Sequence, residues 1–236
     1  MLNVWKKNIM TILSVMGVVI GLTGCGFGDD YPILSGQDAI DAFAISESIH
    51  FTGNSASIHN STDVIADGQN VGKIKESGFF NVKVTYSVDG EKQFYIELCD
   101  YDEEDKVVED ENYVCGRTYT YYDMEGNRLG YAQNRVLFEG DDESHVMVFL
   151  DTEGNMKNYY IEPYDDFFYD WVGGGAGIYN MDREKVGEIA LDYANGITGK
   201  FFADIELGDA AGELSEMDRA VIYYRCIDEI NHIGYS

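Results

Sequence analysis

Between residues 80 and 98 apolar and polar positions alternate with a period of two. Phe80, Val82, Val84, Tyr86 and Val88 are apolar, Asn81, Lys83, Thr85 and Ser87 are polar, and Phe94, Ile96 and Leu98 resume the parity after Asp89-Gly90. A strand that shows one face to a core and the other to water produces this pattern, so a half-buried hairpin is predicted here. Matching apolar with apolar across it favours a three-residue loop, with Val84 opposite Phe94, Val82 opposite Ile96 and Phe80 opposite Leu98. The turn chemistry recurs in Asp123-Met124-Glu125-Gly126-Asn127 and Asp151-Thr152-Glu153-Gly154-Asn155, each between two strand-like runs. A glycine in third place accepts the left-handed backbone that such loops require, which pairs Tyr121 with Leu129 and Leu150 with Met156. The spacing of these glycines is too uneven for a solenoid or propeller, so the region from about 79 to 162 is predicted to be a meander of six or more strands, of sandwich or barrel type.

The flanks carry a different period. Ser35-Gly36-Gln37-Asp38 resembles a helix N-cap with an acid three residues on, and Ile40, Phe43 and Ala44 then share a face, which predicts a short helix from about 37 to 48. Residues 53 to 78 are polar and read as weak strands or loop. After Pro163 acids alternate with aromatics up to Trp171, and the glycine-rich run 173–177 reads as a flexible connection, since it lacks the Lys-Ser/Thr of a phosphate loop. Val186, Ile189, Ala190 and Tyr193 fall at i, i+3, i+4 and i+7 between Asp182 and Gly196, and Ser215 precedes a stripe of Met217, Ala220, Val221, Tyr224 and Ile227. Each predicts an amphipathic helix. The expected fold is α+β, an antiparallel meander with one short N-terminal and two C-terminal helices. Residues 37–162 would hold the first helix and the sheet, and 163–236 the C-terminal helical region, packed on the same core.

The first 25 residues have another layout. Lys6 and Lys7 precede an uncharged run from Ile9 to Leu22, and Leu22-Thr23-Gly24-Cys25 follows. A basic head, an apolar stretch and small residues before a cleavage point describe a secretory leader. The run is shorter than the roughly 20 residues that span a bilayer. Leu22-Thr23-Gly24-Cys25 resembles the lipobox of the bacterial lipoproteins. That resemblance implies a leader of residues 1–24, a diacylglycerol on the Cys25 sulfur, a tether over 25–36, and residence on the extracytoplasmic face of a bacterial cell-envelope membrane.

Composition adds exclusions. The formal net charge is −27, and losing residues 1–24 removes two lysines and no acid, leaving −29. A chain so acidic would be disordered if apolar residues were scarce, but 45% are hydrophobic, enough for a core. No Lys/Arg cluster follows Lys7, so a nucleic-acid partner is excluded for want of a basic footprint. An anionic membrane would repel the body, which leaves the lipid on Cys25 to do the anchoring.

Candidate chemistry is sparse. The four histidines, His50, His59, His145 and His232, are scattered, and neither a zinc-protease helix motif, a nucleophile elbow nor a CxxC pair occurs. Tyr164, Tyr169 and Trp171 could form an aromatic platform for a carbohydrate or protein ligand, or equally belong to a core. Asp100, Asp102, Glu104 and Glu111 fall at positions 1, 3, 5 and 12 of an EF-hand spacing. Asp105 stands where that loop needs glycine, and the flanks read as strands, so the EF-hand is rejected. A solvated acidic turn and a looser calcium site remain the two readings; no other cofactor is implied. Cys99 and Cys115 would meet across a strand pair if they lie opposite one another, which would allow a disulfide and leave Cys226 free. The function these features support is a non-catalytic binding or adhesion module. The alternative is a carboxylate-based envelope hydrolase of glycosidase type, which needs two carboxylates roughly 5 to 10 Å apart.

Overall fold

In a computed structural model of the chain, residues 31–54, 62–78, 82–99, 114–137, 144–164, 175–192 and 200–233 are described. The meander read in the sequence is real, and it continues around a full circle. Helix α1 (Gly36–Ile45) comes first, then strands β1 (Ser48–Asn54), β2 (Thr62–Ala66), β3 (Gln69–Ser77), β4 (Val82–Val88), β5 (Glu91–Cys99), β6 (Val114–Asp123), β7 (Arg128–Leu137), β8 (Ser144–Leu150) and β9 (Met156–Pro163). Strands β10 (Gly175–Asn180), β11 (Lys185–Asp192) and β12 (Lys200–Glu206) follow, then a 3-10 turn (Gly208–Gly212) and helix α2 (Glu216–Ile233). Each strand pairs antiparallel with its sequence neighbours, and β12 returns to β1 from Ser48↔Glu206 to Asn54↔Lys200, closing a twelve-stranded barrel. The expected meander of six strands is β4 to β9, half of that barrel.

Closure sorts the connections onto two ends. Those of the turn end are two to five residues long: Asp67-Gly68, Asp89-Gly90, and the loops around Glu125, Glu153 and Asp182. At the opposite end β5–β6 and β9–β10 are joined by connections of more than ten residues. The loops at Gly126 and Gly154 have the predicted form. Gly126 and Gly154 both sit at φ +87°, and the opening aspartate of each loop accepts backbone N–H groups two and four residues on, as Asp123 does from Glu125 and Asn127. Leu150 pairs with Met156 as expected, but Tyr121 pairs with Gly130 rather than Leu129, because a bulge follows the Tyr122↔Arg128 pair.

The first hairpin differs from its prediction in an instructive way. Asp89 (φ +52°) and Gly90 (φ +83°) form a two-residue turn, with Val88 opposite Glu91. Such a turn would set apolar against polar, but a bulge between Tyr86 and Ser87 absorbs one residue and restores parity, so that Tyr86 meets Phe94, Val84 meets Ile96 and Val82 meets Leu98. The primed turn matches the strand twist, and the bulge corrects the register.

The helix predicted over Val186–Tyr193 is corrected to strand β11. Gly187 shows why: a Cβ there would lie 2.4 Å from the Glu206 carbonyl oxygen, so the backbone is pressed into the sheet. The hairpin before β11 is a third copy of the Asx loop, in which the Asn180 side chain accepts from Asp182 and Glu184 N–H and Arg183 (φ +65°) takes the glycine place. Gly175 and Gly177, read as part of a flexible connection, open β10 instead. A Cβ on Gly175 would lie 1.8 Å from the Ile189 carbonyl oxygen, and one on Gly177 2.4 Å from the Tyr179 ring. With β10 to β12 completing the barrel, the described residues of the C-terminal part contain one α-helix rather than two. At the N-terminal side α1 begins where a helix was expected but ends at Ile45, and Ser48 opens β1 instead of closing the helix; Ser35 makes no side-chain cap, and the Gly36 N–H donates to Asp89 of the first turn.

A barrel of eight strands is filled by its own side chains, and one of twelve is wide enough to need more. Here α2 supplies it. Residues 218–226 are buried on every side of the helix, and they touch opposite walls: Asp218 and Tyr224 meet β6, Asp218 also meets β9, and Tyr223 meets Thr62 of β2. The wall is built around it from Val84, Tyr86, Phe94, Ile96, Tyr119 and Tyr121 on one side and from Gly130, Ala132, Ala176 and Ala203 where room is needed.

The outer wall has two characters. From β11 through β12 and β1 to β5 it carries charged residues in pairs, Lys73 with Asp63 at 3.2 Å, Lys83 with Glu97 at 3.0 Å and Lys185 with Glu188 at 3.0 Å, and a hydrogen bond between His50 and Asp204. A barrel that faces lipid shows the reverse, an apolar belt outside. Over β7 to β9 the outer face is more apolar, and Tyr131, Val146, Val148, Leu150 and Tyr160 form a second buried cluster. No helix among the described residues is long and apolar enough to cross a membrane.

Candidate functional site

Buried charge collects where α2 enters the lumen. Ser215 and Asp218 form a capping box, the Asp218 N–H donating to Ser215 Oγ at 3.3 Å and the Ser215 N–H to Asp218 Oδ2 at 2.8 Å. That places a fully buried carboxylate at the first turn, where the helix dipole favours it. Its remaining valence is taken by the barrel: Tyr121 donates its hydroxyl to Oδ1 at 3.0 Å, and the Lys157 ammonium and the Ser215 hydroxyl donate to Oδ2. Burial, and then the negative charge of Asp218, push the Tyr121 phenol well above its ordinary pKa, so it remains a donor at neutral pH. Charge-assisted hydrogen bonds contribute about 1.5–3 kcal/mol. Tyr121→Phe should therefore lower the unfolding free energy by about that amount, read from urea midpoints. A loss below about 0.5 kcal/mol would mean that water or Lys157 replaces the phenol without cost.

Next to it, Arg219 has no exposed surface and is surrounded by oxygens. Its Nε donates to Leu214 O, Nη1 to Phe43 O, Ser46 O and Ser46 Oγ, and Nη2 to Ala211 O. Phe43 to Ser46 is the end of α1, whose last carbonyls have no intrahelical donors, so a guanidinium from α2 caps α1. Burial draws the Arg219 pKa below the ordinary arginine value, and Glu216, Asp218 and Asp67 oppose that. Asp218 and Arg219 at the start of α2 are thus both engaged from inside the protein. This arrangement fixes a helix in a barrel.

Solvent-facing chemistry lies on the outer wall. Tyr95 of β5 and Tyr122 of β6 are register partners and stack at 5.1 Å between ring centroids with 19° between planes. Lys83 Nζ stands 3.7 Å from the Tyr95 centroid, and Arg128, hydrogen-bonded to the phenols of Tyr122 and Tyr131, lies 5.1 Å from the Tyr131 ring. The row runs across β4 to β7 as cation, ring, ring, cation, and Arg128 joins it to the buried Tyr131 ring. Side chains on a sheet stand upright, so rings stacked in this way use their faces on one another and offer edges and hydroxyls to a ligand.

The residues singled out from sequence fall in different places. Tyr164 is 45% exposed; it donates its hydroxyl to Glu188 at 3.0 Å, with Lys185 Nζ 5.0 Å from its ring. Tyr169 and Trp171 lie outside the described residues, as do Cys25 and the acidic set Asp100, Asp102, Glu104 and Glu111. Among the described residues no three acid, histidine or cysteine side chains come together as a metal site. The register sets Cys99 opposite Thr118, not opposite Cys115, because β5 and β6 pair three residues away from the alignment supposed in sequence. Cys226 is buried on α2. The Asp218 cluster and the Tyr95 row were missed. Their members are joined by register and by closure of the barrel, and nothing local marks Lys157 or Tyr121 as partners of a residue so far along the chain. Comparison with family models, curated proteins and solved structures finds no match for this chain.

Proposed function

We propose that the chain is a lipid-anchored module of the bacterial envelope, held on the extracytoplasmic face by a diacylglycerol on Cys25. Its task is to bind a carbohydrate or protein ligand through aromatic side chains of the outer wall, without catalysing a reaction. The observation that carries the binding part is the row Lys83, Tyr95, Tyr122 and Arg128, which places hydroxyls and cations side by side on the solvent side of a rigid barrel, while the polar groups at the base of the lumen helix are engaged with one another. Ligand sites built on strands hold their geometry better than those on loops. The anchoring part is supported by the leader and by Leu22-Thr23-Gly24-Cys25. Two acyl chains hold a protein stably where one does not.

Cys25→Ser should leave the protein as an uncleaved precursor or release it from the membrane fraction; a variant processed and fractionated like the parent removes the anchor. For the ligand, an array of envelope glycans and the purified soluble body make the test. Tyr95→Ala/Tyr122→Ala should weaken binding about tenfold or more, as loss of aromatic anchors does. Unchanged binding in that variant places the ligand elsewhere on the surface.

A further inference from the structure

Resting on the anchor proposed above, we infer that the turn end of the barrel faces the bilayer and that the end bearing the long connections faces away from it. The partner of this surface is the lipid headgroup layer itself. The first described residues fix where the chain leaves the body. Pro32 O accepts the Asn70 N–H at 2.8 Å and the Leu34 N–H donates to Asn70 O at 2.9 Å, and Asn70 lies two residues past Gly68 in the turn between β2 and β3. The tether therefore departs from the turn end. Cys25 is six residues before Tyr31, which even fully extended reach about 20 Å. Strands of seven to ten residues tilted as in a barrel stand about 20–25 Å tall. To bring the far rim to the membrane the tether would have to climb the whole wall and still reach the lipid, and it is too short.

The surface chemistry agrees. Of the most exposed large apolar side chains among the described residues, Ile33 (75%), Ile45 (73%), Met124 (45%), Leu129 (38%) and Met181 (37%) sit at the turn end, on the departing chain, the end of α1 and the loops or strand starts beside them, and Tyr164 (45%) alone sits at the far end. The wall of β1 to β5, the alternative contact for a barrel lying on its side, carries ion pairs. Acidic loop residues such as Asp89, Glu125 and Glu153 share the turn end, so close approach is opposed on an anionic surface within a Debye length of about 8 Å and unopposed on a zwitterionic one. The orientation is the same in both cases, since the tether sets it.

The lipidated protein in phosphatidylcholine vesicles that carry nitroxide-labelled headgroups gives the test. A fluorophore attached through a non-canonical residue is placed at Glu153, on the turn end, or at His145, at the start of β8 on the other end. Quenching should be at least threefold stronger at 153 than at 145. Met124 and Ser77 form a second pair, from the turn end and the far end, in case one label disturbs the fold. Equal quenching, or the reverse order, in a protein whose mass shows the lipid and which stays with the vesicles overturns the orientation alone. A protein without lipid on Cys25 removes the anchor and this inference together.

Discussion

Arg219→Met should lower the unfolding free energy by about 3–5 kcal/mol, a large part of the roughly 5–15 kcal/mol that a domain has. The reason is the set of acceptors it serves. Leu214 O, Ala211 O, Phe43 O, Ser46 O and Ser46 Oγ all accept hydrogen bonds from one guanidinium with no exposed surface, and methionine would leave them without that donor in a buried site. Three structural pieces would be freed at once, the end of α1, the 3-10 turn and the entry of α2. Arg219→Lys should recover less than half of the loss, because a single ammonium cannot reach carbonyls spread around a planar fork. Urea unfolding of the parent and both variants measures it. A loss under about 1 kcal/mol for Arg219→Met would show that α1 and α2 hold their places by apolar contact.

That latch explains how much of the fold a sequence reading could reach. The alternation in β4 and β5 and the two Asp-x-Glu-Gly-Asn loops are local signals, and they gave the hairpins, the half-buried face and the meander. What lay beyond was set by long-range pairing. Val186, Ile189 and Ala190 fit a helix by spacing, yet the segment has a strand on each side of it, and two ladders outweigh a weak periodicity. Arg183 in the glycine place hid the turn that would have announced β11. The stripe Met217, Ala220, Val221 and Tyr224 does lie on a helix, α2, but spacing alone does not show that the polar residues Asp218, Arg219 and Arg225 between its members are buried as well. In β8, His145 to Leu150 has no alternation because both faces are covered, Met147 and Phe149 toward α2 and Val146, Val148 and Leu150 in the outer cluster. The candidate site follows the same division. Tyr164 could be named as an exposed aromatic from its neighbours in sequence, whereas Tyr95 and Tyr122 become a pair only through register.

Alkaline pH should unfold the barrel in one cooperative step. Tyr86, Tyr121, Tyr160 and Tyr223 are all buried, at 0 to 1% exposure, and burial is the leading cause that raises each phenol above its ordinary value near 10. Tyr160 is pushed up to about 12, with Glu162 adding to burial, and the other three are raised in the same direction. Below pH 10 both the folded and the unfolded chain keep these protons, so the phenols leave stability unchanged. Above it the unfolded chain releases protons that the folded protein retains, and stability falls by about 1.4 kcal/mol per pH unit for each phenol. Four together remove about 5–6 kcal/mol per unit, so a domain of ordinary stability should unfold between about pH 11 and 12.5. Tyrosinate absorbance followed with near-ultraviolet circular dichroism measures both sides of this linkage. The exposed phenols should ionise first, and the buried ones together with the loss of tertiary signal. Gradual ionisation of every tyrosine centred near pH 10, with the circular dichroism intact, would mean that water reaches the lumen and that α2 does not fill it.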